Sequence, residues 1–152
     1  MATEEQERLI QREIGRLQNA DEAVLDALNE DSVLRRTAWF NEVCASFDFL
    51  SGDPLEAGYR LLLARFGISP AEAPVVERTE QRIVFHSQNF CPTLEACRRL
   101  GLDTRLVCKR LNEQATDALV KLISPRLTFS RNYDRLRPYA PYCEEMISLE
   151  NE

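Results

Sequence analysis

The chain has 152 residues, 44% of them hydrophobic and 29% charged, with a net charge of −6 and a pI near 5.0. That length suits a single domain, 1–152, able to bury its own core, and no apolar run approaches the ~20 residues that span a bilayer. The acidic balance argues against nucleic-acid binding. The opening "MATEEQERLI" lacks the pattern of a secretory or transit leader, so a cytoplasmic protein with no membrane partner is expected.

Residues 1–68 read as helical. Leu9, Ile10, Ile14, Leu17, Ala20, Val24, Leu25 and Leu28 recur at three- and four-residue spacings, the signature of an amphipathic helix over 3–30, with Asn19–Asp21 as a point of interruption. This face is also a candidate surface for a homodimer. Asp31-Ser32 has the chemistry of an N-cap and predicts a second helix over 33–50, with Phe40, Val43, Cys44, Phe47 and Leu50 as its apolar stripe. "SGDP" predicts a turn, and Pro54 opens a third helix that ends at Gly67.

From residue 69 the pattern changes. "APVVERTEQRIVFHS" reads as two strands with a polar turn between them. In the second, Ile83 and Phe85 face one way, Val84 and His86 the other. Cys91-Pro92 starts a short helix that stops near Gly101. Asp103-Thr104 caps a longer one reaching Ile123. "RLTFS" is a third strand, "RNYDRLRPYAPY" a loop, and "CEEMISLE" a final strand. The order predicts an α+β fold: a small, mainly antiparallel sheet of four strands packed against helices, with a helical N-terminal half.

The five cysteines stand at 44, 91, 97, 108 and 143. An odd count without Cys-x-x-Cys disfavours both a disulfide framework and a zinc ribbon. Cys44 and Cys97 lie on apolar stripes and read as small core hydrophobes. Cys91 is different, because it stands at the N-cap of a helix with Pro92 at N1. Unpaired N–H groups and the helix dipole stabilise a thiolate there and lower its pKa. His86, the only histidine, precedes it by five residues and is a candidate base for a Cys–His nucleophile. The plain alternative is a poor cap beside a strand histidine held by ordinary bonds.

Cys108 and Cys143 are candidate walls of the same site, with Asn112 one turn beyond Cys108. In a second reading Cys91, Cys108, Cys143 and His86 form a ligand set for zinc or iron. Charge is unevenly spread: residues 1–80 hold 8 basic and 16 acidic side chains, whereas 82–137 hold 11 basic against 5 acidic. Arg131, among Arg126, Arg135 and Arg137, is the candidate partner for an anionic small molecule; the plain alternative is a structural loop pinned by stacking of its own arginines on its tyrosines and by surface ion pairs.

The stretch "FCPTLEACRRLGL", "VCKRLNE" and "PRLTFSRNYDRLRPYAPYCEEMI" resembles the L-2-amino-thiazoline-4-carboxylic acid hydrolase family over about the last 70 residues. The resemblance rests on Cys91-Pro92, Cys108, the Pro125–Arg131 segment and Cys143. It implies a small-molecule pocket near Cys91 and hydrolytic opening of a cyclic amidine C–N bond. The loop before Cys143 departs from the glycine-rich stretch such a protein would carry, which leaves the substrate open. A non-catalytic binding protein for a metal, a cofactor or a redox signal is the alternative built on the same cysteines.

Overall fold

A computed structural model describes residues 2–151. The chain begins with α1 (Glu4–Leu17), capped by a reciprocal pair between Thr3 and Gln6. Asn19 adopts a left-handed backbone (φ 62°), which asparagine tolerates better than most residues, and the helix stops there. Asp21 then caps α2 (Glu22–Val43) by accepting the Val24 N–H at 2.9 Å. The expected break at Asp31-Ser32 does not occur. Asp31 pairs instead with Arg35 one turn on, at 2.7 Å, and Ser32 turns inward and is buried. Two short 3-10 turns, Cys44–Ser46 and Asp48–Ser51, replace the end of the predicted second helix. Cys44 is only half-buried, not a core residue.

Helix α3 (Pro54–Phe66) has Asp53 as its cap and Pro54 in its first turn, and it ends at Gly67, whose φ of 64° a side chain would strain. Strands β1 (Val75–Arg78) and β2 (Arg82–Ser87) follow. Helix α4 (Pro92–Leu100) is next, closed by Gly101. Helix α5 (Thr104–Cys108), a π turn (Lys109–Glu113) and α6 (Gln114–Lys121) run on without a break. Strands β3 (Leu127–Arg131) and β4 (Cys143–Leu149) complete the chain. The fold is α+β, with one antiparallel sheet in the order β1-β2-β4-β3. The π turn had no counterpart in the apolar spacing, which continues through it.

Strand alternation decides what the sheet shows to the helices. Ile83, Phe85, Leu127, Phe129 and Ile147 are buried on the inner face. Helix α3 lies close over it because Gly58 presents no side chain; a Cβ there would stand 3.4 Å from Ile147 Cδ1. A second apolar cluster joins α1, α2, α4 and α5 through Leu17, Leu25, Ala96, Cys97, Val107 and Leu111. Ile10 and Leu17 of α1 and Leu25 of α2 are buried within the chain itself, whereas Val24 on the same predicted face stays 42% exposed.

The edge strand β3 is protected by carboxylates. Phe129 N–H donates to Asp117 at 2.9 Å and Arg131 N–H to Glu113 at 3.2 Å. These bonds use groups that would otherwise template edge-to-edge pairing. No helix among the described residues is long and apolar enough to cross a membrane.

Cys97 has no exposed surface, and burial pushes its thiol up to about 12 from the usual value near 9. An unfolded chain releases that proton at lower pH than the folded one does. The stabilisation is therefore complete below about pH 9 and is lost as the pH climbs towards about 12. Chemical denaturation across pH 8–11 should show a fall in stability that is shallower in Cys97→Ala than in the parent chain.

Candidate functional site

The seam between the two apolar clusters holds a cavity of about 280 Å³, at the small end of the ~300–1,000 Å³ usual for ligand pockets. Segments remote in sequence supply its walls. Cys91 comes from the start of α4, Cys108 and Asn112 from α5 and the π turn, Arg131 from β3 and Cys143 from β4. Glu13 and Arg16 of α1 and Arg36 of α2 complete much of its polar lining.

Sheet register explains the sheet's contribution. Ser87 pairs with Cys143, Phe85 with Glu145 and Glu145 with Arg131. The inner face is therefore apolar along most of its length and polar at one end. There Arg131 Nε donates to Glu145 at 3.2 Å, and the Ser87 hydroxyl donates to the same carboxylate. Burial works against the Arg131 charge, but Glu145, Cys108 and Tyr133 together outweigh it and keep the guanidinium protonated. Arg131 Nη1 and the Tyr133 hydroxyl are both enclosed by protein without a well-formed hydrogen bond, although the two side chains lie close enough to interact.

The same alternation removes His86. It stands on the opposite face of β2 from Phe85 and Ser87, with Nε2 3.0 Å from Glu144 Oε1 and its ring stacked on Tyr142 at 3.7 Å. Glu144 is also bonded by Asn132 at 2.8 Å; Asn132 first and His86 second lower its pKa. His86 is not part of the cavity wall, so the expected Cys91–His86 pair does not form. The four-residue metal set fails for the same reason. Among the described residues no three His, Cys, Asp or Glu side chains are placed to hold a metal ion. Thiols that burial keeps protonated are also poor donors, since zinc and iron need thiolates. The residues do not fit a zinc or iron site.

Cys91 does stand at the N-cap of α4, ahead of Pro92. The expected lowering of its pKa is nevertheless reversed. Burial raises it, and this outweighs the N–H groups of Leu94 and Thr93 and the charge of Arg137, which pull the other way. Cys108 is raised too, again mainly by burial. Arg137 lines the cavity beside Cys143, donating from Nε to Cys143 Sγ at 3.2 Å and from Nη1 to the Asn89 carbonyl at 2.6 Å. The loop is not pinned by its own arginines alone: Arg105 lies over Tyr139 at 4.1 Å and Lys109 over Tyr133 at 5.8 Å. Arg135 bonds the Tyr142 hydroxyl and Arg126 the Glu150 carbonyl, both exposed contacts.

Glu13, Arg16 and Arg36 were not found from sequence. Glu13 is buried, pairs with Arg16 at 2.8 Å and accepts the Thr93 hydroxyl at 3.0 Å. Arg36 belongs to a polar stripe of α2, in which Leu25, Asn29, Ser32 and Arg36 are buried at four-, three- and four-residue spacings. A search for apolar periodicity passes over it, although the spacing itself is helical. Asn29 carries the π turn: its Oδ1 accepts the Ala115 N–H at 3.1 Å and its Nδ2 donates to Gln114 at 2.9 Å. Thr116 donates back to the Asn112 carbonyl at 2.9 Å.

Asn29→Ala should leave the Ala115 N–H buried and unpaired, at a cost of about 1–3 kcal/mol in urea denaturation; a change within error would mean the turn is held otherwise. Iodoacetamide labelling read by peptide mass should find Cys91 slow at neutral pH and accelerating as the pH rises past the ordinary thiol range, and Cys97 unlabelled in the folded chain. No family model, curated protein or solved structure matches the chain.

Proposed function

We propose that this chain is a cytoplasmic, hydrolase-like protein that binds a small anionic molecule in its cysteine-lined cavity. One observation carries the reading: Cys91, Cys108 and Cys143, brought from three separate elements, line one small cavity together with four arginines and only two glutamates. Two of those arginines, Arg16 and Arg131, pair with Glu13 and Glu145, which leaves Arg36 and Arg137 as excess positive charge. The balance suits a ligand with negative charge.

The resemblance to the 2-aminothiazoline-carboxylate hydrolases supplies a candidate reaction. The Cys91 sulfur would bond to the ring carbon between sulfur and nitrogen. Its proton would pass to the ring nitrogen as that C–N bond opens, and water would then release the product and restore the thiol. Arg137 and the N–H groups of Thr93 and Leu94 favour the thiolate. His86 has no part in this scheme.

A second reading, binding without catalysis, is favoured by the raised pKa of Cys91 and Cys108. Incubation with 2-aminothiazoline-4-carboxylate, followed by mass spectrometry, separates the two. Ring opening that falls by at least about 10³-fold in Cys91→Ser supports the nucleophile. Undiminished turnover in that variant sinks it. Saturable binding by the parent chain without ring opening would leave the second reading in place.

A further inference from the structure

Arg36 is 8% exposed, yet no carboxylate among the described residues faces it. Its Nη1 donates to Thr116 Oγ1 at 3.0 Å and its guanidinium lies 4.9 Å from the centre of the Phe66 ring. A guanidinium has five N–H donors, and one of them is used by this contact. The charges that act on it most are those of Arg65, Arg131, Arg35 and Arg16, all of the same sign, and the two glutamates of the cavity are engaged with Arg16 and Arg131. Burial first, and those charges second, lower its pKa to about 9, which leaves it protonated at neutral pH. A buried charge without a counter-ion is costly, and one hydrogen bond to Thr116 with the face of Phe66 does not balance it. Thr116 already bonds the Asn112 carbonyl, and Phe66 would pack equally well against an apolar side chain.

On the same cavity wall stands Arg131, whose charge is matched by Glu145 and whose Nη1 is enclosed by protein near the Tyr133 side chain. Arg36 is therefore the buried guanidinium of this small space whose charge and donors are both unspent.

We propose that Arg36 forms the seat for a single carboxylate of the ligand, supplying both the charge and the hydrogen bonds. The inference rests on the reading of the cavity as a ligand site and names the group recognised there. A carboxylate matches the seat in charge, because Glu145 already balances Arg131 and one positive charge remains. It also matches in shape, since guanidinium edges pair with planar carboxylates. The ligand lies with this end between α2 and β3 and its other end towards Cys91 and Cys143.

The test uses the full chain and thermal unfolding at constant ionic strength, in acetate, chloride, sulfate or phosphate. Acetate should raise the midpoint by several degrees over chloride, as a ligand that binds only the folded state must. Arg36→Met should abolish that rise while leaving the midpoint in chloride unchanged or higher, because an unpaired buried charge has been replaced by an apolar side chain of similar length. Arg36→Lys keeps the charge without the fork and should retain a smaller rise; it serves also if the methionine variant fails to fold. Cys91→Ser should keep the full acetate effect, so a protein that binds acetate but opens no ring loses the hydrolase reading and keeps the seat. No acetate effect in the parent chain, an undiminished effect in Arg36→Met, or stabilisation by sulfate and phosphate alone would each overturn the carboxylate seat.

Discussion

Asn29 reaches from α2 to the start of α6, where it accepts one backbone N–H and donates to the neighbouring Gln114. A π turn interrupts the i→i−4 ladder and leaves backbone groups in want of partners. In a buried place those partners must come from elsewhere in the fold. Asn29 and Thr116 provide them, and the turn is held open where it faces the cavity. Leu111 and Asn112, adjacent in sequence, both line the cavity as a result. The same contact fixes the height of α2 against α6, and with it the position of Arg36 over the space between α2 and β3.

The cavity is thus a consequence of how two apolar clusters meet. One is the sheet with α3 and α6, the other the packing of α1, α2, α4 and α5. Each is satisfied internally. Their seam is filled with polar side chains, and these sort by partner. Glu13 and Arg16 close on each other, with Thr93 as a further bond. Glu145 and Arg131 close on each other, with Ser87. Arg36 has no such complement, and Arg137 is tied to a carbonyl and a sulfur rather than to a carboxylate. The positive excess of residues 82–137 is therefore not spread evenly over the surface. Part of it is drawn into the seam by Arg131 and Arg137, while Arg36 comes from the acidic half of the chain.

Burial quiets the thiols of Cys91 and Cys108. A helix N-terminus lowers a thiol pKa when water can share the work of solvating the anion. At Cys91 the desolvation is larger than the help from the helix, so the resting form is the thiol. Of the groups that favour the thiolate, the Leu94 N–H at the helix start acts most and the charge of Arg137 next, and burial exceeds them.

Local chemistry was legible in the sequence. Asp53-Pro54 and Gly67 bounded α3, Pro92 and Gly101 bounded α4, and the alternation in "RIVFHS" separated Phe85 from His86, because caps and pleats act within a few residues. The convergence of Cys91, Cys108, Cys143, Arg131 and Asn112 on one cavity needed the register of β4 between β2 and β3, which spacing does not contain. The same register sent His86 to the far face. The continuation of α2 through Asp31-Ser32, the π turn and the burial of Arg36 were decided by tertiary contacts alone. Asn29 and Arg36 look like solvent residues in a one-dimensional reading, and only the opposing helix, with its open turn and its hydroxyl, gives their polar groups a reason to be inside.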